Sequence, residues 1–157
     1  MIKKISLLFL VLSFVAVKNL SAQMVSPAHW SYTTKDLGNS EYDIIITVTL
    51  DEGWHIFSKD YNGISVPASL TLEKNDGFAE VGKLREEGTM IKEEIDIGGE
   101  KETAMYYKNK AVFTQTVKLL GKSATVKGSM EYMTCKEVCV PPATFDFEVT
   151  LLLIPKQ

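Results

Sequence analysis

The stretch Tyr42 to Leu50, "YDIIITVTL", decides the fold. Tyr42, Ile44, Ile46, Val48 and Leu50 fall on one side of an extended chain, and Asp43, Thr47 and Thr49 fall on the other. A period of two built from β-branched residues marks a strand with one buried face. The pattern continues downstream. After the turn signal Asp51-Glu52-Gly53 comes "WHIFS" (Trp54 to Ser58), then "ASLTLEK", where Leu70 and Leu72 face one way before Asn75-Asp76-Gly77. "AVFTQTVKLL" (Ala111 to Leu120), "ATVKGSMEYMT" (Ala124 to Thr134) and "FDFEVTLLLI" (Phe145 to Ile154) repeat it. In the last of these, Phe145, Phe147, Val149, Leu151 and Leu153 share a face, with Asp146 and Glu148 opposite. No stretch carries a helical period, and no repeat or linker interrupts the series. Seven or eight short strands separated by turns predict an all-β protein, an antiparallel sandwich of immunoglobulin-like type.

One segment breaks the rhythm. "REEGTMIKEEIDIGGEKETAMYYKNK", Arg85 to Lys110, is highly charged and holds Gly98-Gly99 and the pair Tyr106-Tyr107. It reads either as a solvated hairpin or edge strand, or as a mobile flap over a site.

Outside the strands, the first residues set the compartment. Lys3 and Lys4 precede an apolar run from Ile5 to Val17, and small residues follow at Ser21 and Ala22. This reads as a secretory signal peptide, residues 1–22, cut after Ala22. The run is shorter than the roughly 20 apolar residues of a spanning helix, and Gln23 is not the cysteine that a lipoprotein signal would acylate. The expectation is an exported, periplasmic, monomeric domain over residues 23–157, with no membrane anchor of its own. Without Lys3, Lys4 and Lys18 the remainder holds 14 basic and 20 acidic side chains, a net charge of about −6. That balance disfavours nucleic acid and anionic membranes as partners.

The chain has two cysteines, Cys135 and Cys139, in "TCKEVCVPP". In an oxidising compartment they pair unless something keeps them reduced. As a staple, the bridge would close a loop of about five residues and contribute only about 2 kcal/mol. As a metal grip, two thiolates could join Met133 and His55 on zinc or cuprous copper, and the spacing resembles copper-delivery proteins of oxidase assembly. Those proteins have a thioredoxin-like fold, which the strand pattern does not support. As an exchange pair, the cysteines need a turn between them, because four residues of extended chain span about 13 Å. Lys136-Glu137-Val138 would make that turn. Lys136 favours a thiolate and Glu137 opposes one. Pro141-Pro142 stiffens the exit.

"GSMEYMTCKEVCVPP" followed by "FDFEV" resembles the N-terminal periplasmic domain of the DsbD family of thiol–disulfide interchange proteins. "LDEGWHIFS" is similar to an earlier strand of that family, and "GISVPASLTLE" and "YYKNKAVFTQTV" match more loosely. The resemblance implies an immunoglobulin-like fold with the redox pair at one end under a cap loop. It implies electron relay from a membrane-embedded or thioredoxin-like reductase to periplasmic thiol proteins, including factors of cytochrome c maturation. Carried over, Cys139 joins partners in mixed disulfides and Cys135 resolves them. His55, Phe57 and Tyr106 flank the pair, the cap falls within Glu94 to Tyr107, and no cofactor or metal is required. The loop between the cysteines is shorter than in familiar members, and the expectation is a free-standing domain without the membrane and thioredoxin-like parts usually fused to it. The competing reading is a non-catalytic binding module with a structural disulfide.

Overall fold

The computed structural model describes residues 26–153, so the signal peptide expected over residues 1–22 lies outside the described residues. Nine strands run in chain order: β1 (Ala28–Gly38), β2 (Glu41–Leu50), β3 (His55–Phe57), β4 (Ser69–Leu72), β5 (Phe78–Ile97), β6 (Glu100–Leu119), β7 (Ser123–Tyr132), β8 (Thr134–Cys135) and β9 (Ala143–Leu152). All named pairings are antiparallel. Among the described residues no helix is long and apolar enough to cross a membrane.

The two sheets form an immunoglobulin-like β-sandwich. In the larger, β6 is the spine. β5 lines one of its edges, while the other edge takes β2 along Lys110 to Lys118 and β3 along Tyr106 to Lys108. β1 lies outside β2, and β8 lies outside β3. The smaller sheet runs β4-β7-β9.

The alternation of "YDIIITVTL" becomes the core. Tyr42, Ile44, Ile46, Val48 and Leu50 are all buried, and with Phe113 and Val117 of β6 they meet Val126, Met130, Phe147 and Leu151 of the smaller sheet. Full burial of each such side chain favours the fold by about 1.5–3 kcal/mol. Trp30 of β1 stacks on Phe145 at 5.5 Å and lies 4.8 Å from Tyr132, so it joins the two sheets.

The structure departs from the sequence reading in three places. The strands number nine among the described residues, and two of them are 20 residues long. β1 writes no alternation into the sequence, because most of this edge strand is exposed: only Ala28 is buried, with Trp30, Thr34 and Gly38 partly so. Leu153, placed with the inward face of β9, falls beyond the strand and is exposed. The charged segment Arg85 to Lys110 belongs to the β5–β6 hairpin, with Gly98 and Gly99 at its tip, both at positive φ.

That hairpin has a break in register. Between the pairs Gly88↔Ala111 and Met90↔Tyr107, β5 has one residue and β6 has three, Lys108 to Lys110. Asn109 takes a left-handed φ of 66° there. At the same point β6 changes partner, from Thr49 of β2 opposite Lys110 to His55 of β3 opposite Lys108. Gly88 fits the break because a Cβ would stand 2.9 Å from the Lys110 carbonyl oxygen. Such bulges bend and twist a strand and re-aim its side chains.

Beyond the break, successive residues serve opposite faces, as strand alternation requires. Ile56 and Tyr107 join the sandwich core, and their neighbours Phe57 and Tyr106 join a second cluster.

Candidate redox site

The second cluster is built by three short pieces of register. Phe57 lies opposite Tyr106, His55 opposite Lys108, and His55 also opposite Cys135. Directly opposed residues of antiparallel strands share a face, with Cβ atoms about 4.5–5.5 Å apart. The His55 ring accordingly sits 4.6 Å from Tyr106 and 5.3 Å from Phe57. Phe57, Tyr61, Ala104, Tyr106 and Cys135 are buried together, and Ile91, Ile95, Met105 and Met133 pack around them.

Tyr61 comes from the loop after β3. It stacks on Phe57 at 4.5 Å, and its hydroxyl hydrogen-bonds the Glu102 carboxylate. The loop is held at its root by Glu86, which accepts from the fully buried Ser58 hydroxyl at 2.5 Å and from the Lys59 amide at 3.0 Å. From the hairpin, Glu93 accepts the Tyr106 hydroxyl at 2.9 Å.

Cys135 and Cys139 form a disulfide, with Cα atoms 3.9 Å apart. The turn demanded by sequence spacing is present, closed by a bond from the Val140 amide to the Thr134 carbonyl at 3.0 Å. The two cysteines have unlike surroundings. Cys135 is 3% exposed within the aromatic cluster, whereas Cys139 and the loop residues Lys136, Glu137 and Val138 are exposed. Lys136, weighed above as a thiolate stabiliser, directs its ammonium to the Glu52 carbonyl at 3.2 Å. Its stem lies over Gly53, where a Cβ would stand 2.7 Å from Lys136 Cε.

Electrostatics keep the cluster's ionisable groups neutral. Burial first, and then the nearby Lys108 charge, push the His55 imidazole below its ordinary pKa, against an opposing pull from Glu93. Burial and the bond to the Glu93 carboxylate raise the Tyr106 phenol. Burial and Glu102 do the same to Tyr61. The result is a wall of neutral aromatic rings on one side of the disulfide, its tyrosine hydroxyls bonded to the Glu93 and Glu102 carboxylates, and solvent on the other.

The structure brings Cys135, Cys139, His55, Phe57 and Tyr106 together. Of the residues weighed as metal ligands, Met133 packs against the cluster and His55 lies beside it. Within the span expected to hold a cap, Ile95, Ala104 and Tyr106 belong to the cluster, while Tyr107 faces the sandwich core. Sequence reasoning did not single out Tyr61, Glu86, Glu93 or Glu102. The one available signal for Tyr61 was an aromatic residue just four positions after Phe57 in a loop.

Comparison with known proteins follows this geometry. The N-terminal periplasmic domain of ScsB from Proteus mirabilis superposes with a TM-score of 0.55 at 17% identity, over 80% of this chain and 46% of that one. The chain thus spans less than half the length of that structure. The N-terminal domain of Neisseria meningitidis DsbD, solved in its reduced form, gives a TM-score of 0.49 at 16% identity, over 69% of this chain and 80% of that one. No curated protein matches the sequence. The family model described as "Thiol:disulfide interchange protein DsbD, N-terminal" matches residues 22–151. With nearly the whole β-sandwich covered by that match, the chain belongs to the DsbD N-terminal domain family of thiol:disulfide interchange proteins.

Proposed function

We propose that the chain is an exported, periplasmic dithiol/disulfide carrier. It takes two electrons from a thioredoxin-like or membrane-embedded thiol reductase and gives them to periplasmic thiol proteins, those of cytochrome c maturation among them. The observation that carries this reading is the asymmetry of the pair: Cys139 is exposed and Cys135 is buried. A partner's thiolate meets the Cys139 sulfur, forms a mixed disulfide there, and releases Cys135 inside the cluster. A second thiol of the reductant then attacks the mixed disulfide and leaves the protein as a dithiol. In the forward delivery step, Cys139 attacks the acceptor's disulfide, and Cys135 closes on Cys139 to release the reduced acceptor. Exchange proceeds by such in-line thiolate attack, and access decides which sulfur is hit.

Ile91 and Ile95 of β5 and Ala104 and Tyr106 of β6 support a covering role for the hairpin arm. In this reading the arm and the Tyr61 loop shield Cys135 between encounters.

The test is the reduction potential of the pair, from equilibration in thiol redox buffers with mass-tagging of free thiols. A value of about −180 to −270 mV matches exchange proteins. A value below about −300 mV marks a structural bridge and hands the chain to the binding-module reading. Trapping separates the roles. Cys135→Ser should hold a partner on Cys139 as a stable mixed disulfide, and Cys139→Ser should hold none.

A further inference from the structure

We propose that His55 is the proton acceptor for the Cys135 thiol when Cys135 attacks a mixed disulfide on Cys139. This role rests on the carrier reading above. It starts from a difficulty that burial creates. A thiol 3% exposed among aromatic and aliphatic side chains is held in its protonated form by desolvation. Only the thiolate attacks a disulfide, so the resolving step needs a base beside Cys135.

Each element around the sulfur offers a group, and each but one is bonded elsewhere, is a cation, or is turned to solvent. From β6, the Tyr106 hydroxyl donates to Glu93 of β5, and Lys108 sets its ammonium 5.6 Å from the Tyr106 ring centre. From the loop after β3, Tyr61 is bonded to Glu102. From the cysteine turn, Lys136 reaches away to Glu52, and Glu137 is exposed. From β3, His55 stands directly opposite Cys135 on the same face. Among the described residues, no hydrogen bond occupies either nitrogen of its ring. Burial and Lys108 keep that ring in its neutral, proton-accepting form near neutral pH.

The step balances. Cys135 Sγ–H gives its proton to the imidazole as the sulfur attacks Cys139 Sγ. The bond between Cys139 and the partner's sulfur breaks, and that sulfur leaves with the electron pair. The imidazolium then returns the proton to solvent or to the departing thiolate. When the disulfide is being opened, the same imidazole, protonated, supplies the proton to the leaving Cys135.

Dithiobis(nitrobenzoate), Ellman's reagent, tests this without any cellular partner. The reduced protein should release one nitrothiobenzoate as Cys139 is captured and a second as Cys135 resolves the adduct. His55→Gln should slow the second release about 10²-fold near neutral pH, with a far smaller change in the first. The gap should narrow only at alkaline pH, beyond the ordinary thiol pKa of about 8.5, once the buried Cys135 thiol ionises unaided. His55→Phe, which keeps an aromatic ring against Tyr106 and Phe57, should be as slow as His55→Gln. A second release that keeps its wild-type rate and pH profile in both variants would overturn the role. So would a slow Gln variant beside a normal Phe variant, since that pattern reports packing. If the wild-type protein releases no first equivalent, the carrier reading itself fails and takes this role with it.

Discussion

The inward and outward faces of the larger sheet are built differently although they share strands. Inward, aliphatic and aromatic side chains from both sheets interlock, and Ile44, Ile46, Val48, Phe113, Val117, Val126 and Met130 are wholly enclosed. Outward, the cluster around Cys135 is small and aromatic, and its tyrosines are tied to the carboxylates Glu93 and Glu102. The first face is closed by a second sheet. The second is closed by a loop and a hairpin arm. Stability therefore concentrates on one side of β3 and β6, and accessible chemistry on the other. Regions with few buried contacts are the ones that open at low free-energy cost.

The sharpest way to break this contrast is truncation on each face. Phe113→Ala should cost about 3–5 kcal/mol in urea unfolding of the oxidised protein, because a wholly enclosed cavity cannot collapse. Phe57→Ala should cost less, while speeding hydrogen exchange around Cys135. Equal losses would refute the division. Next, Glu86→Ala strands the buried Ser58 hydroxyl and the Lys59 amide, at a cost of up to about 3 kcal/mol. Its effect should appear locally, as faster exchange in the loop carrying Tyr61.

Reducing the disulfide should then lower stability by only about 2 kcal/mol, the entropy of a five-residue loop. A much larger loss would mean that the bridge holds the sandwich together. The smallest effect concerns Asp43 on the outward face, far from the cysteines. Burial alone would raise its carboxyl. Hydrogen bonds from Thr116 at 2.6 Å and Arg85 at 3.0 Å, with the Arg85 and Lys35 charges, outweigh burial and hold it below its ordinary value. Its contribution is therefore full above the unfolded carboxylate's pKa and is lost as pH falls through the lower folded value. Asp43→Asn should flatten that acid limb in unfolding titrations, with no change in exchange kinetics.

Legibility follows the same division. β2, β7 and β9 could be read because each buries one face against the other sheet and so writes a period of two. "WHIFS" was readable as a strand after a turn, but β3 and β8 are three and two residues long, too short for any period to show that they set His55 opposite Cys135. The arm of β5 and β6 carries Lys92, Glu94 and Lys101 because only one face of it meets a cluster, so its charge left a solvated hairpin and a mobile flap both readable. The cysteine pair was legible as a motif, and His55, Phe57 and Tyr106 through family resemblance. Tyr61 and Glu86 were not, since their roles arise only when a loop folds back across the sheet.

The three-residue break at Lys108 to Lys110 also governs how the chain can change length. Deleting one of these residues would shift the arm by one step against the rest of β6 and exchange the two faces. Tyr106 would then turn toward the sandwich and Tyr107 toward the disulfide, and every arm side chain at the cysteines would be replaced by its neighbour. Deleting two restores the parity. Single-residue length variants here should thus abolish exchange while keeping the folded sandwich, and paired ones should be carried silently, so the break works as a frame that descent can alter only in steps of two.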